Sequence, residues 1–139
     1  MFNEYLTQRI SAKAVIESEG GILILHPSNI DTNRKWHIPG GIRDEISEAL
    51  LDTAIREVHE ETKIDLKGIS NNVVKAAEWQ AVDKGEQVKI LAVFYHFKLP
   101  IRPEVVLSDE HDDFAWLNKG NHDNYETNQE VHEIVESLL

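Results

Sequence analysis

The stretch GIRDEISEALLDTAIREVHEETKI, residues 41–64, contains the densest pattern of charged and apolar residues in this chain. Apolar residues recur in it at helical spacing, at Leu51, Ala54, Ile55 and Val58. This spacing predicts an amphipathic helix over residues 48–62 with one buried face, and Ser47 is its predicted N-cap. The charged residues lie off the apolar stripe, at Asp52, Arg56, Glu57, Glu60 and Glu61.

Three carboxylates of this helix, those of Glu57, Glu60 and Glu61, fall within about one turn, because residues three and four apart share a helix face. Like charges at this spacing destabilise a helix, and the helix dipole disfavours anions in its C-terminal half. Arg56 can offset one charge through an i,i+4 pair with Glu60, or reach back to Asp52. Solvent is one source of compensation, and divalent cations such as Mg²⁺ are the other.

The segment upstream favours the cation. Residues 36–41 read WHIPGG, and the two glycines form a tight turn in which the backbone can approach a ligand closely. A free carbonyl of Gly40 would be a further oxygen ligand. A Gly-Gly turn followed by a loop and a carboxylate-rich helix is much rarer than a Gly-Gly turn alone.

Residues 41–64 resemble the Nudix box. That signature has a Gly, five residues, a Glu, seven residues, Arg-Glu, an aliphatic residue, any residue, Glu-Glu, any residue, a Gly and an aliphatic residue. The matching positions are Gly41, Glu48, Arg56, Glu57, Val58, Glu60, Glu61 and Ile64. Residues 107–117 (LSDEHDDFAWL) resemble a segment common late in Nudix domains. The resemblance implies an α/β (α+β) fold, an α/β/α sandwich with a mixed central sheet, in a single domain over residues 1–139.

Two positions depart from that signature. Six residues rather than five separate Gly41 from Glu48, so the positions of the Gly40 and Gly41 carbonyls stay open. Lys63 replaces the last Gly, which would normally end the helix in a left-handed conformation. We expect either a strained Lys63 or a different helix end, at a cost of about 1 kcal/mol.

The resemblance also implies a reaction, in which water attacks a phosphorus of a diphosphate and a phosphate leaves. Its cofactor would be Mg²⁺, with Mn²⁺ as an alternative. The implied metal ligands are Glu57, Glu60, Glu61, Glu110 and the carbonyl of Gly40. Arg56 would orient a ligand carboxylate, and Glu48 would be a structural or outer partner.

A general base is still needed, and three residues are candidates for it. Many relatives use a Glu in the late loop, the place that Glu110 occupies. Some relatives that cleave sugar nucleotides use a loop His, which makes His111 and His122 the alternatives. His59, at a variable position of the box, is expected to face solvent.

The substrate-binding candidates are Arg34, Trp36 and Arg43, with Lys35 beside them. Trp36 lies next to the loop and could stack on a base, whereas Trp79 and Trp116 are expected in the core. The flanking cations could meet phosphates or stay on the surface.

The rest of the chain predicts a mixed sheet packed between two helices. Strands are expected at residues 13–17, 22–25, 36–38, 73–79, 88–99 and 114–117, with turns at 19–21 and 83–86 and a loop at 100–113. A capping box at Thr127 and Glu130 precedes a second amphipathic helix that carries Val131, Ile134, Val135 and Leu138.

The composition of the chain restricts its possible metal ligands, partners and cellular compartment. The 139 residues contain no cysteine, so any metal must be held by oxygen or imidazole. A net charge of −11 disfavours a partner with a nucleic-acid backbone. No signal peptide or membrane-spanning stretch is legible, which makes the cytoplasm the expected compartment. Homodimers are frequent in the resembled family, and the oligomeric state stays open.

Several functions stay open at this level. The resembled family cleaves nucleoside triphosphates, dinucleoside polyphosphates and nucleotide sugars, and the shared box does not choose among them. A GDP-mannose-type sugar nucleotide hydrolase with a histidine base is one alternative. A non-catalytic Nudix-fold nucleotide-binding module and an acidic interaction protein are the others.

Overall fold

A computed structural model describes residues 7–28 and 35–139. The elements of the described residues are β1 (Gln8–Ser18), β2 (Gly21–Pro27), β3 (Gly40–Ile42), α1 (Leu50–Thr62), β4 (Asn71–Asp83), β5 (Glu86–Leu99), β6 (His111–Leu117), a 3₁₀ turn (His122–Asn124) and α2 (Gln129–Leu138). Neither of the described α-helices is long and apolar enough to cross a membrane.

The strands form one six-stranded sheet in the order β4-β5-β1-β2-β6, and β3 pairs with β1 beside this path. β1 and β5 are parallel, whereas the other pairs are antiparallel. The predicted mixed sheet is therefore confirmed. β1 lies at the centre because its residues 14–16 are apolar and fully buried, as expected for a strand covered on both faces.

The two helices cover opposite faces of this sheet. Alternate residues of β1 point to opposite sides, so Ala14 and Ile16 pack with Val58 of α1. Val15, between them, packs with Ile134 of α2 in the other cluster. This arrangement confirms the predicted α/β/α sandwich.

Both predicted hairpin turns are present. Glu19 and Gly20 have φ angles of 49° and 77°, and Lys84 and Gly85 have φ angles of 52° and 78°. Two consecutive left-handed residues suit the right-handed twist of the strands that a tight hairpin joins.

The predicted helix caps were wrong. α1 begins at Leu50 with Ala49 as N-cap, because Ser47 belongs to a preceding turn in which Glu48 N donates to Glu45 O over 3.1 Å. The N-cap of α2 is Asn128. The Thr127 hydroxyl lies 3.0 Å from His132 Nε2, so the capping box does not form. Within the described residues, neither N-cap side chain hydrogen-bonds to its helix.

Several strand boundaries also differ. Residues 36–38 contribute isolated bridges, Leu25 to His37 and Trp36 to Thr127, instead of the predicted strand. β6 begins at His111 instead of Phe114, which shortens the predicted loop at residues 100–113. An edge strand tolerates polar side chains because one of its sides faces solvent, so polarity misled the assignment.

Candidate active site

Glu61 is the buried centre of the site. We expected it off the buried stripe of α1, but it is 5% exposed, and this expectation was wrong. The backbone N–H of Gly40 donates to Glu61 Oε1 over 2.9 Å, which offsets part of the cost of burying a carboxylate. Burial raises the pKa of Glu61 to about 8, although the charge of Lys13 opposes the shift.

The Gly-Gly turn is required by close packing. A Cβ atom at Gly41 would lie 2.4 Å from Cδ of Glu57. A Cβ atom at Gly40 would lie 2.2 Å from the carbonyl oxygen of Ala12, and Gly40 has a φ angle of 147°. Larger residues would therefore push β3 away from both β1 and α1. The glycines let the backbone of β3 approach the carboxylates of α1.

Arg56 connects the carboxylates of the box. Its Nε and Nη2 donate to Glu48 over 2.9 and 3.0 Å. Its Nη1 donates to Glu57 over 3.2 Å and to Glu60 over 3.1 Å, and the latter contact is the predicted i,i+4 pair. The hydrogen bonds from Arg56, aided by one from Thr53, lower the pKa of Glu48 to about 2. Glu48 thereby fixes the guanidinium between two acidic side chains.

The extra residue before Glu48 is absorbed in the loop. The turn closed by Glu45 and Glu48 projects Ile46 into solvent, with 93% of that residue exposed. Arg43 Nη1 donates to the Glu48 carbonyl over 3.3 Å. Glu48 consequently still reaches Arg56, and the insertion leaves this ion pair in place.

Glu110 and His111 approach Glu61 from β6 and its preceding loop. Potential ligand atoms of these three residues all lie within 4.8 Å of one another. His111 Nε2 lies 3.6 Å from Glu61 Oε2 and 3.0 Å from His37 Nε2. We expected His111 in a loop, but it starts β6 and is buried.

The two histidines form a directed chain. Burial and the charge of Lys13 lower the pKa of His37 to about 3, so its ring is neutral near pH 7. Its Nδ1 lies 3.1 Å from the carbonyl oxygen of Ile38, to which it must donate. His37 Nε2 therefore accepts the hydrogen of His111 Nε2. His111 Nδ1 is left as a buried acceptor without a hydrogen-bond partner among residues 7–28 and 35–139.

Sequence reasoning missed Lys13 and His37. Lys13 interrupts an apolar stretch of β1, which was a usable signal, because a cation in a buried strand requires a partner. Burial lowers the pKa of Lys13, and the nearby charges of Glu61 and Glu57 oppose that shift. His37 carried no local signal, since its environment is built by residues distant in sequence.

The substrate-binding candidates lie in different surroundings. The Trp36 ring is half-buried between His26 and Tyr125, with ring centroids 4.9 and 5.0 Å away. Arg34 lies outside the described residues. Lys35 Nζ donates to Asn128 over 3.4 Å.

The remaining candidates lie apart from the carboxylates. Trp79 and Trp116 pack against the two core clusters, as expected. His59 is exposed. His122 lies against α2, with Nδ1 2.8 Å from His132 Nδ1, in contrast to the loop position expected of a base.

The site opens into a cleft of about 540 Å³. It is lined by Pro27, Ser28, His37, Glu61, Asp109, Glu110 and His111. Burial and the charge of Glu60 raise the pKa of Glu57, while Arg56 opposes the shift. Burial is thus the main cause of both raised pKa values, and neighbouring carboxylates add to it. Hard divalent cations with oxygen preference fit this donor set.

A family model described as NUDIX domain matches residues 7–136. The chain belongs to the Nudix family. The sequence-based prediction of a Nudix hydrolase is confirmed at the level of the family. No curated protein matches the chain.

Solved structures share the fold of this Nudix hydrolase. A MutT protein from Methanosarcina mazei Go1 is 26% identical, with a TM-score of 0.78 over 97% of this chain and 95% of that one. The dihydroneopterin triphosphate pyrophosphohydrolase of E. coli is 20% identical, with a TM-score of 0.75 over 96% and 97%. The NUDIX domain of Shewanella oneidensis NrtR, solved with ADP ribose, is 18% identical, with a TM-score of 0.74 over 95% and 86%.

Proposed function

We propose that this Nudix hydrolase cleaves the diphosphate linkage of a nucleoside diphosphate joined to another moiety, with Mg²⁺ as cofactor and Mn²⁺ as an alternative. The observation that carries the proposal is the convergence of Glu57, Glu61 and Glu110 beside the Gly40–Gly41 turn. Burial raises the pKa of Glu57 and of Glu61, and repulsion from neighbouring carboxylates adds to both shifts. A cation that bridges to phosphate oxygens would relieve this repulsion.

The proposed ligands are Glu57, Glu60, Glu61, Glu110 and the carbonyl of Gly40. The bound cation would neutralise the diphosphate and lower the pKa of the attacking water. Arg56 keeps Glu57 and Glu60 in place, since Glu48 holds its guanidinium from the opposite side. The N–H of Gly40 fixes one oxygen of Glu61 and leaves the other directed toward the cleft side that His111 lines.

Glu110 is the proposed general base because it is exposed at the cleft while Glu61, close to it, is buried. It takes one proton from water as the water oxygen attacks phosphorus. The bond from phosphorus to the bridging oxygen then breaks, and the leaving phosphate departs with that oxygen. His111 is the second candidate, since its unpartnered Nδ1 could accept the proton instead.

The site and the neighbours both support the proposed substrate classes. The ligands in the names of two neighbours, ADP ribose and dihydroneopterin triphosphate, both contain a phosphoanhydride. Trp36, supported by His26 and Tyr125, is the proposed stacking surface for a base, and Arg34 and Arg43 are proposed phosphate contacts. Nucleoside triphosphates, dinucleoside polyphosphates and nucleotide sugars therefore form the test panel.

Chromatographic separation of the products formed from this panel with Mg²⁺ and with Mn²⁺ tests the proposal, because cleavage of these linkages releases nucleotides, sugar phosphates or pyrophosphate. We expect metal-dependent turnover of at least one class, and loss of that turnover in Glu57→Gln. Glu78→Gln, at an exposed carboxylate on β4, is the matched control and should keep wild-type activity. Tight binding of a nucleotide without turnover under either metal would instead indicate the non-catalytic binding module.

The pH dependence of kcat distinguishes the two bases. Removing a general base slows such reactions by about 10²–10⁴-fold and removes its limb from the pH–rate profile. We expect this result for Glu110→Gln and a much smaller loss for His111→Asn. An unchanged profile in Glu110→Gln, with a lost limb in His111→Asn, would assign the base to His111.

A further inference from the structure

A second cluster of metal-ligating side chains lies against α2, separate from the carboxylates of α1. His122 and Asp123 come from the 3₁₀ turn, and His132 comes from the first half of α2. The two Nδ1 atoms are 2.8 Å apart, and Asp123 Oδ1 lies 3.8 Å from His122 Nδ1. One ligand atom from each of the three residues falls within 4.8 Å of the others.

The outer nitrogens of both rings have oxygen partners. His122 Nε2 lies 3.2 Å from Glu136 Oε1, and His132 Nε2 lies 3.0 Å from Thr127 Oγ1. Histidines that bind metals usually donate their second N–H to such an oxygen, which fixes the ring and its tautomer. With both Nε2 atoms donating, both Nδ1 lone pairs point toward the same space. The Thr127 hydroxyl can accept that hydrogen or donate one, so it suits both the loaded and the metal-free cluster.

We propose that His122, His132 and Asp123 bind a transition-metal ion of the Zn²⁺ class. Two imidazoles and one carboxylate suit Zn²⁺, whereas Mg²⁺ prefers oxygen ligands, so the two clusters select different cations. Tetrahedral zinc with bonds of about 2.0–2.1 Å places two nitrogens roughly 3.3 Å apart. The rings therefore need to separate by about half an ångström to admit the ion. The Asp123 side chain is 89% exposed, which gives the ion access from solvent.

Such an ion would join three segments at the edge of the proposed base-stacking surface. The 3₁₀ turn and α2 supply the ligands, and Thr127, which supports His132, is bridged to Trp36. Trp36 N also donates to Glu126 O over 2.9 Å. Binding therefore stabilises the folded arrangement of this edge, whichever substrate the carboxylate site takes.

Equilibrium dialysis with Zn²⁺ in a large excess of Mg²⁺ tests the site. The background protein for this test carries Glu61→Gln and His111→Asn, which remove two of the three ligands of the other potential cluster, and the excess Mg²⁺ competes for the carboxylates that remain. We expect one bound Zn²⁺ per chain, and an affinity at least tenfold lower after His122→Gln or His132→Asn is added. His59→Gln, at an exposed histidine on α1, is the matched control and should leave the affinity unchanged.

Two further measurements distinguish the loss of a Zn²⁺ ligand from misfolding of a histidine variant. Asp123→Asn changes an exposed side chain and should also weaken Zn²⁺ binding. Zn²⁺ should raise the unfolding midpoint of the background protein but not that of the His132→Asn protein. The proposal is overturned if the background protein binds no stoichiometric Zn²⁺, or if the histidine variants bind it equally well while circular dichroism shows them folded.

Discussion

The helices α1 and α2 do the same packing task on opposite faces of one sheet, yet their buried residues differ in kind. α1 buries Thr53, Thr62 and the carboxylate of Glu61 alongside its apolar residues. The buried residues of α2 are Val131, Ile134 and Val135. α1 therefore contributes less apolar packing per buried position and carries a charge that is costly to bury. One helix therefore carries the proposed catalytic carboxylates, whereas the buried residues of the other are apolar.

The cost in α1 is offset by contacts from outside the helix. Gly40 donates a backbone hydrogen bond to Glu61, and the charge of Lys13 acts on both Glu61 and Glu57. Arg56 supplies the compensation within the helix. The contacts of Lys13 and Gly40 come from β1 and β3, so the carboxylate cluster depends on the sheet being folded.

The sharpest test of this division is Glu61→Gln. We expect turnover to fall on the order of 10³-fold, equivalent to about 4 kcal/mol of transition-state stabilisation. The amide oxygen of Gln can still accept from Gly40 N, so the free energy of unfolding without metal should stay the same or increase. Steady-state kinetics and urea unfolding measure the two effects. If Glu61→Gln were strongly destabilised, Glu61 would contribute to the stability of the fold, and the division of roles between α1 and α2 would be wrong.

Ile134→Ala examines the opposite helix. Ile134 is 1% exposed in the core, and truncating such a residue costs about 3 kcal/mol through lost burial and the cavity that remains. We expect this loss of unfolding free energy in urea, with kcat per folded molecule close to that of wild type. If kcat per folded molecule instead fell together with the unfolding free energy, the packing of α2 would also affect the site on α1.

A pH series refines the electrostatic part of the comparison. The pKa of Glu61 is about 8 in the folded protein, above its ordinary 4.5, so the folded state binds the extra proton between these values. The unfolding free energy of the metal-free protein should therefore fall as pH rises through this window. One pKa unit corresponds to about 1.4 kcal/mol, so the total change is a few kcal/mol at most.

Chemical unfolding at several pH values, with wild type and Glu61→Gln in parallel, isolates this contribution. The unfolding free energy of wild type minus that of Glu61→Gln should decrease as pH rises, because the carboxyl group of Glu61 titrates and the amide of Gln does not. Mg²⁺ should oppose the decline in wild type, since metal binding requires the deprotonated carboxylate. If this difference in unfolding free energy did not change with pH, a raised pKa of Glu61 in the folded protein would be excluded.

The smallest expected effect is at the end of α1. Lys63 has a φ angle of 64° in the left-handed region, and its N–H donates to His59 O over 3.0 Å. Lys63→Gly should raise the unfolding free energy by about 0.5–1 kcal/mol, because glycine adopts this conformation without strain. Lys67→Gly, at an exposed position without positive φ, is the control and should bring no gain. Thermal unfolding measures both variants. If Lys63→Gly and wild type had equal unfolding midpoints, Lys63 would not be strained.

The sequence by itself determined the layers of the fold and named the candidate carboxylates of the site. Periodic apolar residues specified both helices, and paired turn residues specified the hairpins at Gly20 and Gly85. The pair of Arg56 with Glu60 follows from helical spacing, which is a local property. The left-handed end at Lys63 was likewise one of two outcomes that the motif allowed.

Tertiary structure alone decided which charged groups are buried and what surrounds them. Glu61 looked like a solvent-facing residue on α1, and its burial results from β3 and β6 closing over that helix face. The Ser47 cap and the Thr127 capping box failed for local reasons, namely the turn from Glu45 to Glu48 and the contact of Thr127 with His132. Lys13 and His37 gained their partners from a helix and a strand that are distant in the chain. Burial and charge coupling sum over neighbours in space, and local sequence patterns do not encode those neighbours.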